Sequence, residues 1–179
     1  AVATMALVVT LSVFNGFHDL VASLFTSFDP QLKVTPVQGK TVPADDPVLT
    51  RIRQLPQIEV STACVEDQAL AVYGDRQAMV TVKGVEDNFD SLTHIRQILV
   101  GDGDYELHAA DLDFGIPGIR LAETLGTGYT YHRPLKIFAP KREGQLDMAN
   151  PTDGFVEEEL FSPGVLSNVK QVKYDRKYI

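Results

Sequence analysis

Apolar residues follow three different rhythms along this chain. From Ala1 to Phe14 they are nearly continuous, broken only by Thr4, Thr10 and Ser12. After Asn15-Gly16 they thin to Phe17, Leu20, Val21, Leu24, Phe25 and Phe28, spacings of three and four that place one stripe on a helix. Asp29-Pro30 ends that pattern, because the residue before a proline disfavours helical backbone. Fourteen helical residues span about 21 Å, short of the ~30 Å of a bilayer core. The opening segment is therefore expected to be the outer half of a membrane-crossing helix that leaves lipid near Gly16. Three other readings compete: the remnant of a signal peptide, although no basic stretch precedes it; a buried core helix; and an amphipathic surface helix.

Beyond Pro30 the rhythm changes to alternation. Residues 31–38, with Leu32, Val34 and Pro36, predict an edge strand, where a proline is tolerated. Asp46-Pro47 predicts a helix start, with Asp46 as the N-cap, running to Leu55 before Pro56. Ile58, Val60 and Thr62 predict a strand, residues 69–73 a second, and residues 77–82 a third across a Gly74-Asp75 turn. Leu92, Ile95 and Leu99 predict a helix over residues 89–99, closed by Gly101-Asp-Gly-Asp104. Residues 119–125 predict a short helix stopped by Gly126. Strands are then expected at 135–139, 155–161 and 169–174, with a long loop over 141–153. The order predicts an α+β fold in two lobes.

Charge narrows the partners. The chain has 24 acidic and 16 basic residues, a formal net charge of −8, which argues against nucleic acid as a main partner. Its single cysteine, Cys64, rules out an internal disulfide and is expected to be a small buried apolar residue. Candidate chemistry is sparse. Gly101-Asp-Gly-Asp104 departs from a twelve-residue calcium loop and reads as a tight turn. His108 with Asp111 and Asp113 is the one cluster of metal-ligand type, and it reads as solvated loop. Gly126-Thr-Gly128 lacks the third glycine of a dinucleotide loop, and Glu157-Glu-Glu159 reads as a solvated strand face. No catalytic residue, cofactor or metal is assigned, and the weight moves from enzyme to interaction module.

Several segments then combine. The run Leu7-Val-Val-Thr-Leu-Ser-Val-Phe-Asn-Gly-Phe17 resembles the end of the first membrane helix in the lipoprotein-releasing (LolC/LolE) permeases, relatives of the MacB and FtsX families. Val82-Lys-Gly-Val85, Pro117-Gly-Ile-Arg-Leu-Ala-Glu-Thr-Leu-Gly126 and Leu135-Lys-Ile-Phe-Ala-Pro-Lys141 are similar to later stretches of the same domain, in the same order. Thr130-Tyr-His-Arg133 departs from the Gly-Asp pair often found there.

The resemblance implies a two-lobed, MacB-like periplasmic core domain of an inner-membrane ABC-transporter permease. Residues 1–28 would be the end of the first membrane helix with its periplasmic extension. Residues 29–179 would be the core domain, with the second lobe at roughly 100–165. The implied partners are a separate ATPase subunit, a second permease copy or paralogue, a lipoprotein substrate and a periplasmic lipoprotein chaperone. The loop 142–153, with Arg142, Leu146, Met148 and Pro151, matches the hairpin that hooks the chaperone in some of these permeases. An FtsX-like regulator of wall hydrolases and a MacB-like efflux domain are the alternatives. A soluble enzyme with a buried N-terminal helix is the remote one.

Overall fold

The computed structural model describes residues 2–25, 30, 32–101, 103–128, 133–141, 154–167 and 172–179, the side chains of residues 19–25 apart. Helix α1 (Val2–Phe25) opens the chain and runs through Gly16 without a break. Helix α2 (Pro47–Arg53) follows, and its start is as expected. The Asp46 carboxylate accepts hydrogen bonds from the amides of Val48 (2.7 Å) and Leu49 (3.3 Å), and Pro47 fills the first turn, where no donor is needed.

The fold is α+β, built on an antiparallel sheet. Strands β1 (Cys64–Tyr73) and β2 (Arg76–Val85) pair over their full length around the Gly74-Asp75 turn, where Gly74 takes φ 60°. Strand β5 (Leu135–Pro140) pairs with β1, and β6 (Phe155–Leu160) pairs with β5, giving the order β2-β1-β5-β6. Before β5 come the four-residue helix α3 (Phe89–Leu92), a 3-10 turn (Ile95–Ile98) and a small hairpin of β3 (His108–Ala109) and β4 (Leu112–Asp113).

Side chains alternate across the pleat, so one face of the sheet collects Ala69, Ala71, Val80, Leu135 and Ile137. Helix α4 (Ile119–Leu125) lays Leu121 and Leu125 on that face, and Ile179 completes the cluster. Gly126 ends α4 in the left-handed conformation, φ 73°, with its amide turned back to the carbonyls of Ala122 and Glu123. A second core gathers Phe89, Ile95, Tyr105, Ile116, Leu166 and Tyr174.

Gly118 joins the two cores. Helix α5 (Val172–Lys177) crosses it so closely that a Cβ there would lie 2.3 Å from the Tyr174 carbonyl oxygen and 2.6 Å from the Asp175 Cα. Only a residue without Cβ fits. Its amide donates to the Tyr178 carbonyl (3.0 Å), and the next amide, of Ile119, donates to Leu166 (2.7 Å). The chain then runs parallel to the free side of β2. Lys83 donates to the Ile179 carbonyl (2.8 Å), and Ile179 donates to Thr81 (3.1 Å). This covers part of an edge that would otherwise be open to pairing.

Four local expectations are corrected. Residues 32–38 form no strand: Lys33 and Lys40 tie this stretch to Glu66 (3.3 Å) and Asp67 (3.0 Å) of β1 through side chains, and Pro36 lacks a ladder donor. Residues 58–62 are likewise irregular. Asn88 caps the Ser61 carbonyl (3.0 Å) and Glu86 accepts from the Ala63 amide (2.9 Å), so side chains take the bonds a ladder would have used. The helix over 89–99 breaks at Thr93, whose hydroxyl and amide both donate to the Phe89 carbonyl (2.9 and 3.1 Å) before the backbone turns extended. The strand expected at 169–174 gives way to helix α5 from Val172. Three alternating residues cannot distinguish the two periods, and packing of Tyr174 beside Gly118 decides.

Candidate functional site

Helix α1 is the least ordinary surface of the molecule. Val2, Met5, Leu7, Val8, Val9, Leu11, Val13, Phe14 and Phe17 are all between 53% and 84% exposed. At about 100° of rotation per residue these nine side chains point in every direction around the axis, leaving no polar face. A surface helix of a water-soluble domain carries an apolar stripe opposite a polar one; a helix apolar all round belongs in a core or in lipid. The Thr10 hydroxyl donates to the Ala6 carbonyl (2.8 Å), so this polar group is satisfied inside the helix and asks nothing of its surroundings. Among the described residues, no helix is long and apolar enough to cross a membrane.

The second sequence candidate is the segment joining β5 to β6. Arg142, Leu146, Met148 and Pro151 lie outside the described residues. The strands that carry the segment are described, and their ladder closes at its base, where the Lys141 amide donates to the Gly154 carbonyl (2.8 Å). On the sheet face turned away from α4, Lys136 sits opposite β6 and bonds Glu157 (2.6 Å), with Glu159 at 3.2 Å. Hydrogen bonds from its ammonium to Glu157 and then Glu159 raise the Lys136 pKa above its usual value. The glutamates share one solvated face, as the alternation predicts.

The remaining chemical candidates resolve into structure. His108 and Asp113 face each other across the β3-β4 ladder, 2.6 Å apart and exposed. Asp111 is exposed in the intervening turn. Among the described residues, no group of three His, Cys, Asp or Glu side chains is placed to hold a metal. Asp104, from the glycine-rich turn, instead bonds Arg96 (3.3 Å), which also binds Asp90 (2.9 Å). The hydrogen bond to Asp90 holds the Arg96 pKa above its ordinary value. Cys64 is exposed at the first position of β1, which corrects the expectation that it is buried. The burial of β1 begins further along, at Ala69, where α4 covers the sheet. Tyr174 and Ile179 are buried, Ile179 in the sheet core and Tyr174 in the second core.

One surface has no sequence signal. Met79 of β2, Arg120, Glu123 and Thr124 of α4, and Arg176 and Lys177 of α5 line a shallow depression of about 460 Å³. Its residues come from three separated segments, one of which reads as a strand in sequence, so no local motif exists to reveal it. No protein-family model matches the chain, and no curated protein matches it either.

Proposed function

We propose that this chain is the extracytoplasmic domain of an ABC-transporter permease of the lipoprotein-releasing kind, a coupling and binding module attached to the membrane through α1. The observation that carries this reading is the apolar circumference of α1 from Val2 to Phe17, exposed on all sides. Each such side chain favours an apolar environment by about 1.5–3 kcal/mol, so nine of them press for cover with a free energy on the order of 10 kcal/mol. A bilayer, with other membrane helices beside it, supplies that cover. The order of the sequence segments that resemble the LolC/LolE permeases supports the finer assignment, including the MacB-like, two-lobed form of the domain.

In this reading a separate cytoplasmic subunit hydrolyses ATP, and a second permease copy or paralogue completes the membrane part. Motion reaches the domain through α1. The loop 142–153, at the end of the β5-β6 ladder, meets the periplasmic chaperone that accepts the lipoprotein, with Arg142, Leu146, Met148 and Pro151 as contacts. The domain itself performs no catalysis and sits on the periplasmic side of the inner membrane.

The test is photocrosslinking in cells from a reactive residue placed at position 148. Capture of a lipoprotein carrier is the expected result. Capture of a wall-hydrolase activator or of an outer-membrane channel protein assigns the domain to the FtsX-like or MacB-like alternative. Recovery of the chain free of membranes, with α1 shielded inside a globule, overturns the reading altogether.

A further inference from the structure

We propose that the depression between β2, α4 and α5 binds a phosphate group carried on an organic body. The inference is independent of the permease reading and rests on how this chain distributes its charge. Among the described residues, five cations are engaged by carboxylates: Lys33 and Lys83 with Glu66, Lys40 with Asp67, Arg96 with Asp90 and Asp104, Lys136 with Glu157 and Glu159; of the others, three converge on one depression. Among the described residues, the side chains of Arg120, Arg176 and Lys177 make no ion pair and no hydrogen bond, although acidic residues outnumber basic ones. All three are exposed, and all three line the same depression.

The immediate surroundings favour an anion. Glu123 is the single carboxylate among the lining residues. Asp175, which directly precedes Arg176, is buried at 5% exposure and does not line the depression. The C-terminal carbonyls of α4 would repel a negative ligand, but they are occupied. Arg76 donates from Nη1 to Glu123 (3.4 Å) and Thr124 (3.3 Å), and the Gly126 and Thr127 amides donate to Glu123 and Ala122. Arg76 also brings a fourth positive charge beside the depression.

Two guanidinium groups and an ammonium suit phosphate: the planar forks bind two oxygens at once, and the lysine adds a compact charge. The Thr124 hydroxyl already donates to the Arg120 carbonyl (2.7 Å), so the cations are the free donors. Met79, 63% exposed, gives the site an apolar wall. That wall has no use for a bare ion and suits the carbon part of a phosphate ester. The chain as a whole is acidic, with a net charge of −8, which disfavours anions where cations do not converge.

A lipid headgroup and a soluble phosphate ester share this chemistry, and two arms of one experiment separate them. In the first, the full chain is titrated with inorganic phosphate and followed through its amide NMR signals. Binding shifts residues 120, 123, 124, 176 and 177 and leaves α2 unmoved. In the second, the full chain is sedimented with phosphatidylcholine vesicles with and without phosphatidylglycerol. A headgroup ligand gives about fivefold tighter binding to the anionic vesicles, fading as salt rises. The attraction of α1 for lipid enters both vesicle types alike and cancels in their ratio. A phosphate shift without vesicle preference assigns the soluble source. The triple substitution Arg120→Gln, Arg176→Gln, Lys177→Gln abolishes whichever response the native chain gives, with an unchanged melting curve because all three side chains are exposed. Glu123→Gln strengthens the response. Absence of both responses in the native chain, or their survival in the triple variant, overturns the proposal.

Discussion

Helices α1 and α4 are both rich in large aliphatic residues, yet they end in opposite environments. In α4, Leu121 and Leu125 are four positions apart on one face, 1% exposed against the sheet, while Arg120, Glu123 and Thr124 face water. In α1 the apolar residues from Val2 to Phe17 leave no face for water, and none of these is buried. The difference lies in arrangement more than in amount. A stripe can be covered by one neighbour within the domain, whereas a full circumference needs cover from every side, which a single sheet cannot give. One helix is covered within its own domain, and the other leaves its apolar residues from Val2 to Phe17 uncovered.

Substitutions in matched pairs sharpen this contrast. Leu125→Ala should cost the domain about 2–5 kcal/mol, from lost burial and the cavity left behind. Leu11→Ala in α1 should leave the urea midpoint of the same domain unchanged. Equal effects at the two sites would mean that α1 packs against the globule. In the converse experiment, Val8→Lys should cost about 3 kcal/mol of insertion into lipid, read as vesicle partitioning, with no change in melting temperature.

The junction between the cores comes next in size. Gly118→Ala sets a methyl group against the backbone of α5 and should destabilise by about 3 kcal/mol, measured by chemical denaturation. Gly16→Ala offers the control, since nothing lies within 4 Å of a Cβ there and a helical alanine is favoured over glycine.

The smallest effect concerns polar groups. The Thr10 hydroxyl is satisfied within exposed α1, whereas the buried Tyr105 hydroxyl, in the second core, has no partner among the described residues. Burial, with the charge of Asp90 adding to it, pushes the Tyr105 phenol up to about 12. Below pH 10 the phenol is protonated in both states and contributes no pH dependence. Between 10 and about 12 the unfolded chain releases the proton first, so the stability this phenol contributes falls as pH rises, by about 1–2 kcal/mol after solvent screening. Tyr105→Phe should remove that alkaline slope and add about 1 kcal/mol at neutral pH, both read from melting curves across pH.

These contrasts also mark what the sequence makes legible. Elements whose signals are local came through: the Asp46-Pro47 cap, the Gly74-Asp75 turn, the stripe and Gly126 stop of α4, and the alternation of β1, β2, β5 and β6. Elements decided by distant partners did not. Residues 32–38 and 58–62 alternate as strands should, but ion pairs and caps from elsewhere claim them. Helix α5 owes its conformation to a glycine more than fifty residues upstream, and the Arg120-Arg176-Lys177 surface exists only after that crossing forms. Of the candidate sites, the apolar character of α1 could be read directly, while the 142–153 loop lies outside the described residues.

The strip formed by Tyr178 and Ile179 has a mechanical meaning. It lies parallel to β2, fastened through Thr81 and Lys83, with the Ile179 side chain set in the sheet core. Traction at that end, directed along the strand, would strain those fastenings together in shear instead of peeling them one at a time. The sheet would be dragged as a body before the strip tore loose.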